Sequence, residues 1–363
     1  MRKSRALALA LALASVITAS STIYAGGTSL KPNGPWVTET QNISLSGLHD
    51  YEELSKTLKQ IEKSSQGKMQ LSTIGQSNQG RDIYLAKIGT GPKKVMVISQ
   101  QHGNEPLGTE AALNVLKYLS TDNSKIEDIL SKVTLYIVPR VNVDGTEKRQ
   151  RYTDDPTAPK VSYSSAGVGY DMNRWHWQNW EDSPYYKMDN GKTFPTNPVK
   201  ESVAVLNTFK AIQPEWIIDL HHQGTYLNEE DGDMIKTSIL WPTDPKAKPE
   251  AVELSKKMCS VIYNDLEHFG FAEVSRYDGG AYEGIARNSY GIAGAGSVLI
   301  EMRGQMQSLG QKSSGYLTKT FVEAIMSLVS STADGSLYEA DTSIAENMPE
   351  TGPYVTKDGI EVE

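Results

Sequence analysis

The sequence contains a single cysteine, no surplus of basic residues and, beyond its first 25 residues, no long hydrophobic run. With Cys259 alone, no disulfide can form within the chain, so its stability must come from packing. Lys and Arg number 36 against 44 Asp and Glu, a formal net charge of −8 without any basic cluster. That balance argues against a nucleic-acid binder, which works through counterion release over a basic face. No later segment approaches the roughly 20 apolar residues of a spanning helix, and no fixed-period repeat is apparent. What remains is an ordinary globular composition, 38% hydrophobic, in 363 residues, enough for one large core.

The N-terminus points to export. Arg2, Lys3 and Arg5 precede an apolar run from Ala6 to about Ala19, followed by small and polar residues as far as Gly27. Residues 1–25 read as a cleaved signal peptide, so the protein is expected to be secreted, with no stable membrane anchor. No cysteine near the cleavage site offers a lipoprotein attachment. Residues 26–46, rich in Gly, Pro, Ser, Thr and Asn, read as a surface arm.

From 47 to 333 the pattern is that of a folded body. Helical periodicity starts at Tyr51, with Leu54, Leu58 and Ile61 on one face and Asp50 as N-cap. Short apolar runs of strand length follow at 83–88, 94–100, 133–141, 216–220, 239–241 and 298–302. Helical patterns lie at 108–119, 199–212, 251–268 and 316–329. This alternation predicts a single α/β domain with a mixed, mostly parallel central sheet flanked by helices. Residues 334–363 carry eight acids against one base, Lys357, and read as a solvated, partly disordered acidic tail.

Chemistry-bearing residues cluster where strand runs stop. His102 and Glu105 follow the run 94–100, and the C-terminal edge of an open α/β sheet is where ligands bind. An imidazole and a carboxylate three positions apart can address one zinc ion and leave room for a third protein ligand and a water. A second strand end provides His221 and His222, which alternation sends to opposite sides, so one of them should reach the metal. His49 and Glu52 share the His-x-x-Glu spacing, but there the start of a surface helix is the simpler reading. Asn173 and Arg174 offer a bidentate grip on a carboxylate. Glu301, at the end of an apolar run, must be paired, with Arg303 for example, or be at work.

The ordered set resembles the zinc carboxypeptidases related to pancreatic carboxypeptidase A and bacterial carboxypeptidase T, from about Gly47 to Leu328. It comprises Ser72–Ile83, His102-Gly103-Asn104-Glu105, Asn142-Val143-Asp144-Gly145, Gly169-Tyr170-Asp171-Met172-Asn173-Arg174, His221 and Glu301. The resemblance implies one Zn2+ per chain on His102, Glu105 and His221, with Asp171 accepting from His102. Glu301 would then be the general base acting on a zinc-activated water, and Asn173 and Arg174 the grip on the C-terminal carboxylate of a peptide or peptidoglycan-peptide substrate. For the arginine that holds the oxyanion, Lys148, Arg149 and Arg151 compete, with Arg149 favoured; for the capping tyrosine, Tyr277 and Tyr282 compete. The residue that sets specificity lies hidden near 277–283, and the protein is expected to act as a monomer. Three other functions share this frame: a cell-wall γ-D-glutamyl-diaminopimelate peptidase, a deacylase like aspartoacylase or succinylglutamate desuccinylase, and a non-catalytic binding module. The secretion signal and the Asn142–Gly145 segment weigh against the deacylase. The full set of ligands with Glu301 weighs against the binding module.

Overall fold

The computed structural model describes residue 43 and residues 47–361, apart from 159–166, 187–193, 229–231, 271, 306–307, 310–312 and 357–358. The segments read as a signal peptide and, but for Ile43, as an arm lie outside these residues. Among the described residues, twelve strands follow in chain order: β1 (Met69–Gln76), β2 (Asp82–Ile88), β3 (Lys93–Ser99), β4 (Val133–Val138), β5 (Trp216–Gln223), β6 (Tyr226–Asn228), β7 (Met234–Ile235), β8 (Thr237–Leu240), β9 (Val274–Arg276), β10 (Gly296–Arg303), β11 (Thr351–Thr356) and β12 (Gly359–Glu361). The helices are α1 (Tyr51–Ser64), α2 (Leu107–Leu119), α3 (Ser124–Lys132), α4 (Val143–Glu147), α5 (Lys200–Ile212), α6 (Pro249–Phe269), α7 (Ala286–Ala293), α8 (Ser314–Asp334), α9 (Ser336–Glu339) and α10 (Thr342–Glu346).

Eight strands make one sheet in the order β1-β2-β4-β3-β5-β10-β8-β9. The central pairings β4–β3, β3–β5 and β5–β10 are parallel, as is β8–β9, and the remaining three are antiparallel. Helices cover both faces, so the inner strands are near-continuous apolar runs rather than alternating ones. In β3, Val95 and Val97 face a core shared with α1, α2, α3, α6 and α8, while Met96 and Ile98 face a second core with α5 and α7. Each such fully buried aliphatic side chain stabilises the fold by about 1.5–3 kcal/mol.

The helix at Tyr51 starts as its sequence requires. The Asp50 side chain accepts from the Glu53 backbone and Glu53 returns the bond, a capping box, and Leu54, Leu58 and Ile61 are buried. His49 pairs with Glu110 at 2.8 Å rather than with Glu52. Among the described residues no helix is long and apolar enough to cross a membrane.

The acidic tail is corrected by the structure. Residues 336–356 form α9, α10 and β11, with Leu337, Ala345, Met348 and Val355 buried. Leu337, Ala345 and Met348 join the larger core, and β11 pairs antiparallel with β6. The acids stay at the surface, where Glu346 meets Lys256 and Glu350 meets Arg276. Four well-spaced apolar residues suffice to dock the segment, whatever its net charge.

Candidate active site

β3 and β5 run side by side with Ser99 opposite Leu220, so the chain leaving β3 carries His102 and Glu105 past the end of β5, where His221 stands. The approach is close enough to demand glycine: a Cβ on Gly103 would lie 2.2 Å from the Gly145 backbone. His102 Nδ1 lies 2.9 Å from Glu105 Oε1, His221 Nδ1 lies 3.0 Å from Glu105 Oε2, and the two Nδ1 atoms are 3.1 Å apart. The far nitrogens address carboxylates: His102 Nε2 is 3.2 Å from Asp171 Oδ1 and His221 Nε2 is 2.8 Å from Asp219 Oδ2.

Two imidazoles with their Nε2 atoms directed at carboxylates turn their Nδ1 atoms toward one point beside a carboxylate, where a metal ion can take the place of an Nδ1 proton. That donor set fits a zinc ion. His222, on the opposite side of β5, accepts from the Leu107 backbone and stacks on Phe321.

The electrostatics agree with the geometry. Burial disfavours a charged His221, yet Asp219 and Glu105 outweigh it and hold the imidazole well above its ordinary pKa. Burial likewise opposes ionisation of Glu105 and Asp171. His102 and His221 nonetheless hold Glu105 well below the usual carboxylate range, as His102 and Arg151 do for Asp171.

Glu301 stands opposite His221 in the parallel register of β5 and β10. Its Oε2 is buried without a hydrogen-bond partner, and Arg303 turns to Met234 Sδ at 2.9 Å. Burial raises Glu301 to about 7, against the pull of His221. A cleft of about 290 Å³ brings Glu301, His102 and Glu105 together with Arg151, Asn173, Arg174 and Tyr277. A larger cavity, about 870 Å³, lies by α2, α3 and α8 and contains none of these residues. The Tyr277 phenol, near the Glu301 charge and partly buried, is held well above its ordinary value and stays a neutral donor.

Two expectations change. Arg149 is exposed with φ at 52° and lines a separate surface hollow with His49 and Glu147. Of the three candidates, Arg151 is the one that lines the cleft: its Nε and Nη2 donate to Asp171 Oδ2 at 3.1 and 3.0 Å, and Nη1 is 3.6 Å from Glu105. Lys148 pairs with Asp154 instead. Of the two tyrosines, Tyr282 does not line the cleft; its hydroxyl meets that of Tyr185 at 3.2 Å and its ring meets Trp177 edge-on.

The sequence reading names the Asn142–Gly145 segment without a role for it, and it misses Asp219, Gln101 and Tyr290. Asn142 Nδ2 donates to the carbonyls of Gln101, Arg151 and Tyr152 while its Oδ1 accepts from Gly145, tying the His102 loop to the Arg151 turn. Asp144 accepts from Ser77, Gln79 and Arg81, which fastens the early turn to the same place. Behind His221, Asp219 accepts from Gln101, whose Oε1 meets His176 at 2.5 Å, and His176 meets the Tyr290 hydroxyl. The signal for Asp219 was an acid within the apolar run 216–220, costly to bury without a partner. The Trp175–Trp180 segment is a packed aromatic loop, Trp175 stacking on Trp180 and Tyr185.

A sequence model of the zinc carboxypeptidases matches residues 54–322. The chain belongs to the zinc carboxypeptidase family. Among characterised members, it is 27% identical over 137 residues to the human carboxypeptidase N catalytic chain, covering 35% of this chain and 30% of that one. It is 28% identical over 149 residues to the zinc carboxypeptidase of Saccharothrix mutabilis subsp. capreolus, covering 37% of this chain and 33% of the other. These matches thus span about a third of each relative. Solved carboxypeptidase structures share the fold over about four fifths of this chain. The metallo-carboxypeptidase from Burkholderia cenocepacia aligns with a TM-score of 0.58 at 16% identity, over 80% of this chain and 70% of that one. Carboxypeptidase A from Helicoverpa armigera aligns with a TM-score of 0.59 at 18% identity, over 81% and 75%.

Proposed function

We propose that the protein is a secreted, monomeric zinc metallocarboxypeptidase that hydrolyses the C-terminal peptide bond of peptide or peptidoglycan-peptide substrates. The observation that carries this reading is the convergence of the His102, Glu105 and His221 ligand atoms at a cleft that also holds Glu301, whose buried Oε2 has no hydrogen-bond partner, and the guanidinium groups of Arg151, Arg174 and Arg287. His102, Glu105 and His221 would hold one zinc ion, which when bound would supply Lewis acidity for the scissile carbonyl and the attacking water. Glu301 takes the proton of that water and passes it to the leaving amine; with its carboxyl near neutrality, it can both accept and return a proton.

Arg151, held in direction by Asp171, donates to the oxyanion as charge develops. Asn173 and Arg174 bind the terminal carboxylate, which restricts cleavage to chain ends. Asn173 is fixed for this by its Oδ1, which accepts from the Ala286 backbone at 2.9 Å. Tyr277 lines the cleft beside Glu301 and closes it with a neutral hydroxyl.

The test is metal analysis and turnover of N-acyl dipeptides. One zinc per chain is expected, with a loss of about 10²–10⁴ in kcat for Glu301→Gln and no cleavage when the terminal carboxylate is amidated. Equal turnover of the amide, or full activity of Glu301→Gln, sinks the proposal.

A further inference from the structure

Arg287 is a cation in an unfavourable place. It lies in the first turn of α7, at the positive end of the helix dipole, and its side chain is 1% exposed. Its Nη2 donates to Thr243 Oγ1 at 3.0 Å and to the carbonyls of Gly280 and Gly279 at 2.9 and 3.4 Å, all neutral acceptors. Nε has no hydrogen-bond partner, and among the described residues no carboxylate pairs with the guanidinium within 4 Å. Burial lowers its pKa only to about 10, so it remains charged at neutral pH.

Arg140 is as buried and also lacks a carboxylate, but it turns to Gln100 and the His49 carbonyl, away from the cleft. Arg287 lines the cleft with Glu301, Arg174 and Tyr277. The loop against it is shaped for a guanidinium: a Cβ on Gly279 would come 2.7 Å from Arg287 Nη1. Asp278, on the same loop, is exposed and makes no ion pair with it.

A buried, unpaired guanidinium is costly unless an anion completes it. Arg174, assigned above to the terminal carboxylate, is a separate group whose Nη1 donates to the Asn173 carbonyl. The cleft therefore offers two places for carboxylates on one substrate residue. We infer that Arg287 sets the specificity of this cleft and that the released C-terminal residue carries an acidic side chain, glutamate or aspartate. This rests on the carboxypeptidase reading but makes a separate commitment. Charge-assisted pairing in such a site discriminates by about 10–100-fold against a neutral side chain of the same shape.

The experiment uses the zinc-loaded full chain with N-acyl-Gly-Xaa substrates in which Xaa is Glu, Gln, Leu or Lys. Glu is expected to exceed Gln at least tenfold in kcat/KM. Calorimetric binding of the Glu and Gln dipeptides to zinc-loaded Glu301→Gln protein is expected to show the same ratio without turnover. In Arg287→Gln the ratio collapses to within threefold of one, and Arg287→Lys restores part of it. Thermal melting identifies a variant that fails to fold, and the comparison of Glu with Gln on the parent protein needs no variant at position 287. Equal binding of Glu and Gln overturns the inference, as does an unchanged ratio in folded Arg287→Gln. If no dipeptide is cleaved while Arg287-dependent binding of the Glu ligand persists, the peptidase reading fails and the acidic subsite stands.

Discussion

Replacing Glu201 by glutamine should stabilise the protein at alkaline pH and leave it unchanged in acid. Glu201 lies in the first turn of α5, fully buried, with neither carboxylate oxygen hydrogen-bonded. Burial raises its pKa from 4.5 to about 7, helped by Asp144 and Asp155 and opposed by Lys200 and its own backbone N–H. Between those two values the folded chain keeps a proton that the unfolded chain has released. Stability is therefore greatest below about pH 4.5 and is lost as pH rises through 7. The interval of about 2.5 pH units, at 1.36 kcal/mol each, corresponds to about 3 kcal/mol. Glutamine keeps the shape and carries no charge at any of these pH values. Urea unfolding of both zinc-loaded proteins from pH 4 to 8 should give a difference near zero at pH 4 that grows to about 3 kcal/mol in favour of Glu201→Gln at pH 8. A flat difference, or a less stable variant at pH 8, would refute the reasoning.

Three further outcomes are expected. Arg151→Ala should lower kcat by about 10²–10³ while Arg149→Ala stays within twofold of the parent; steady-state kinetics showing the reverse would return the oxyanion role to Arg149. Truncation after Gly335 removes buried Leu337, Ala345, Met348 and Val355, at about 1.5–3 kcal/mol for each large side chain. The truncated chain should therefore melt at least 10 °C lower or not fold, and a melting point within 2 °C of the parent would show the tail to be dispensable. Because His221 is held well above its ordinary pKa, the metal-free chain carries a proton there at pH 7 that zinc must displace. Titration calorimetry in buffers of different ionisation enthalpy should register about one proton released per zinc, and none released would contradict the Asp219–His221 arrangement.

The central strands and long helices were legible because their residues are buried on both faces or along one stripe, so composition and periodicity carry the information. β1 was legible only as part of a family-like segment, since Met69–Gln76 is an edge strand with much of its surface exposed. α7, Ala286–Ala293, has no clear apolar stripe and forms because the surrounding core closes on Ala286 and Tyr290. Charge misled at the tail: eight acids outweighed a few apolar residues that dock against α6 and α8, and solvated acids cost nothing to leave at the surface.

In the site, His102, Glu105, His221 and Glu301 could be read because each stands at the end of an apolar run. Arg149 and Arg151 could not be told apart because the backbone at Arg149 takes a positive φ and sends the two side chains to different sides. Arg287 left no local mark. Its significance comes from a glycine pair and Thr243, and only the fold brings Thr243 beside it.

The parallel alignment of Glu301 with His221 bears on how this sheet chooses its own pairing. β5 and β10 are buried at all eight positions, so apolar burial is nearly the same after a slip of one residue and does not itself fix the alignment. Such a slip would turn Glu301 to the face where Ile300 and Met302 join the larger core and bring Ile300 or Met302 opposite His221, stranding a carboxylate in hydrocarbon and separating Asp219 and His221 from the neighbours that now satisfy them. The polar groups of the cleft therefore serve as indexing marks for the two strands, and neutralising them should loosen the specificity of strand pairing as well as end the chemistry.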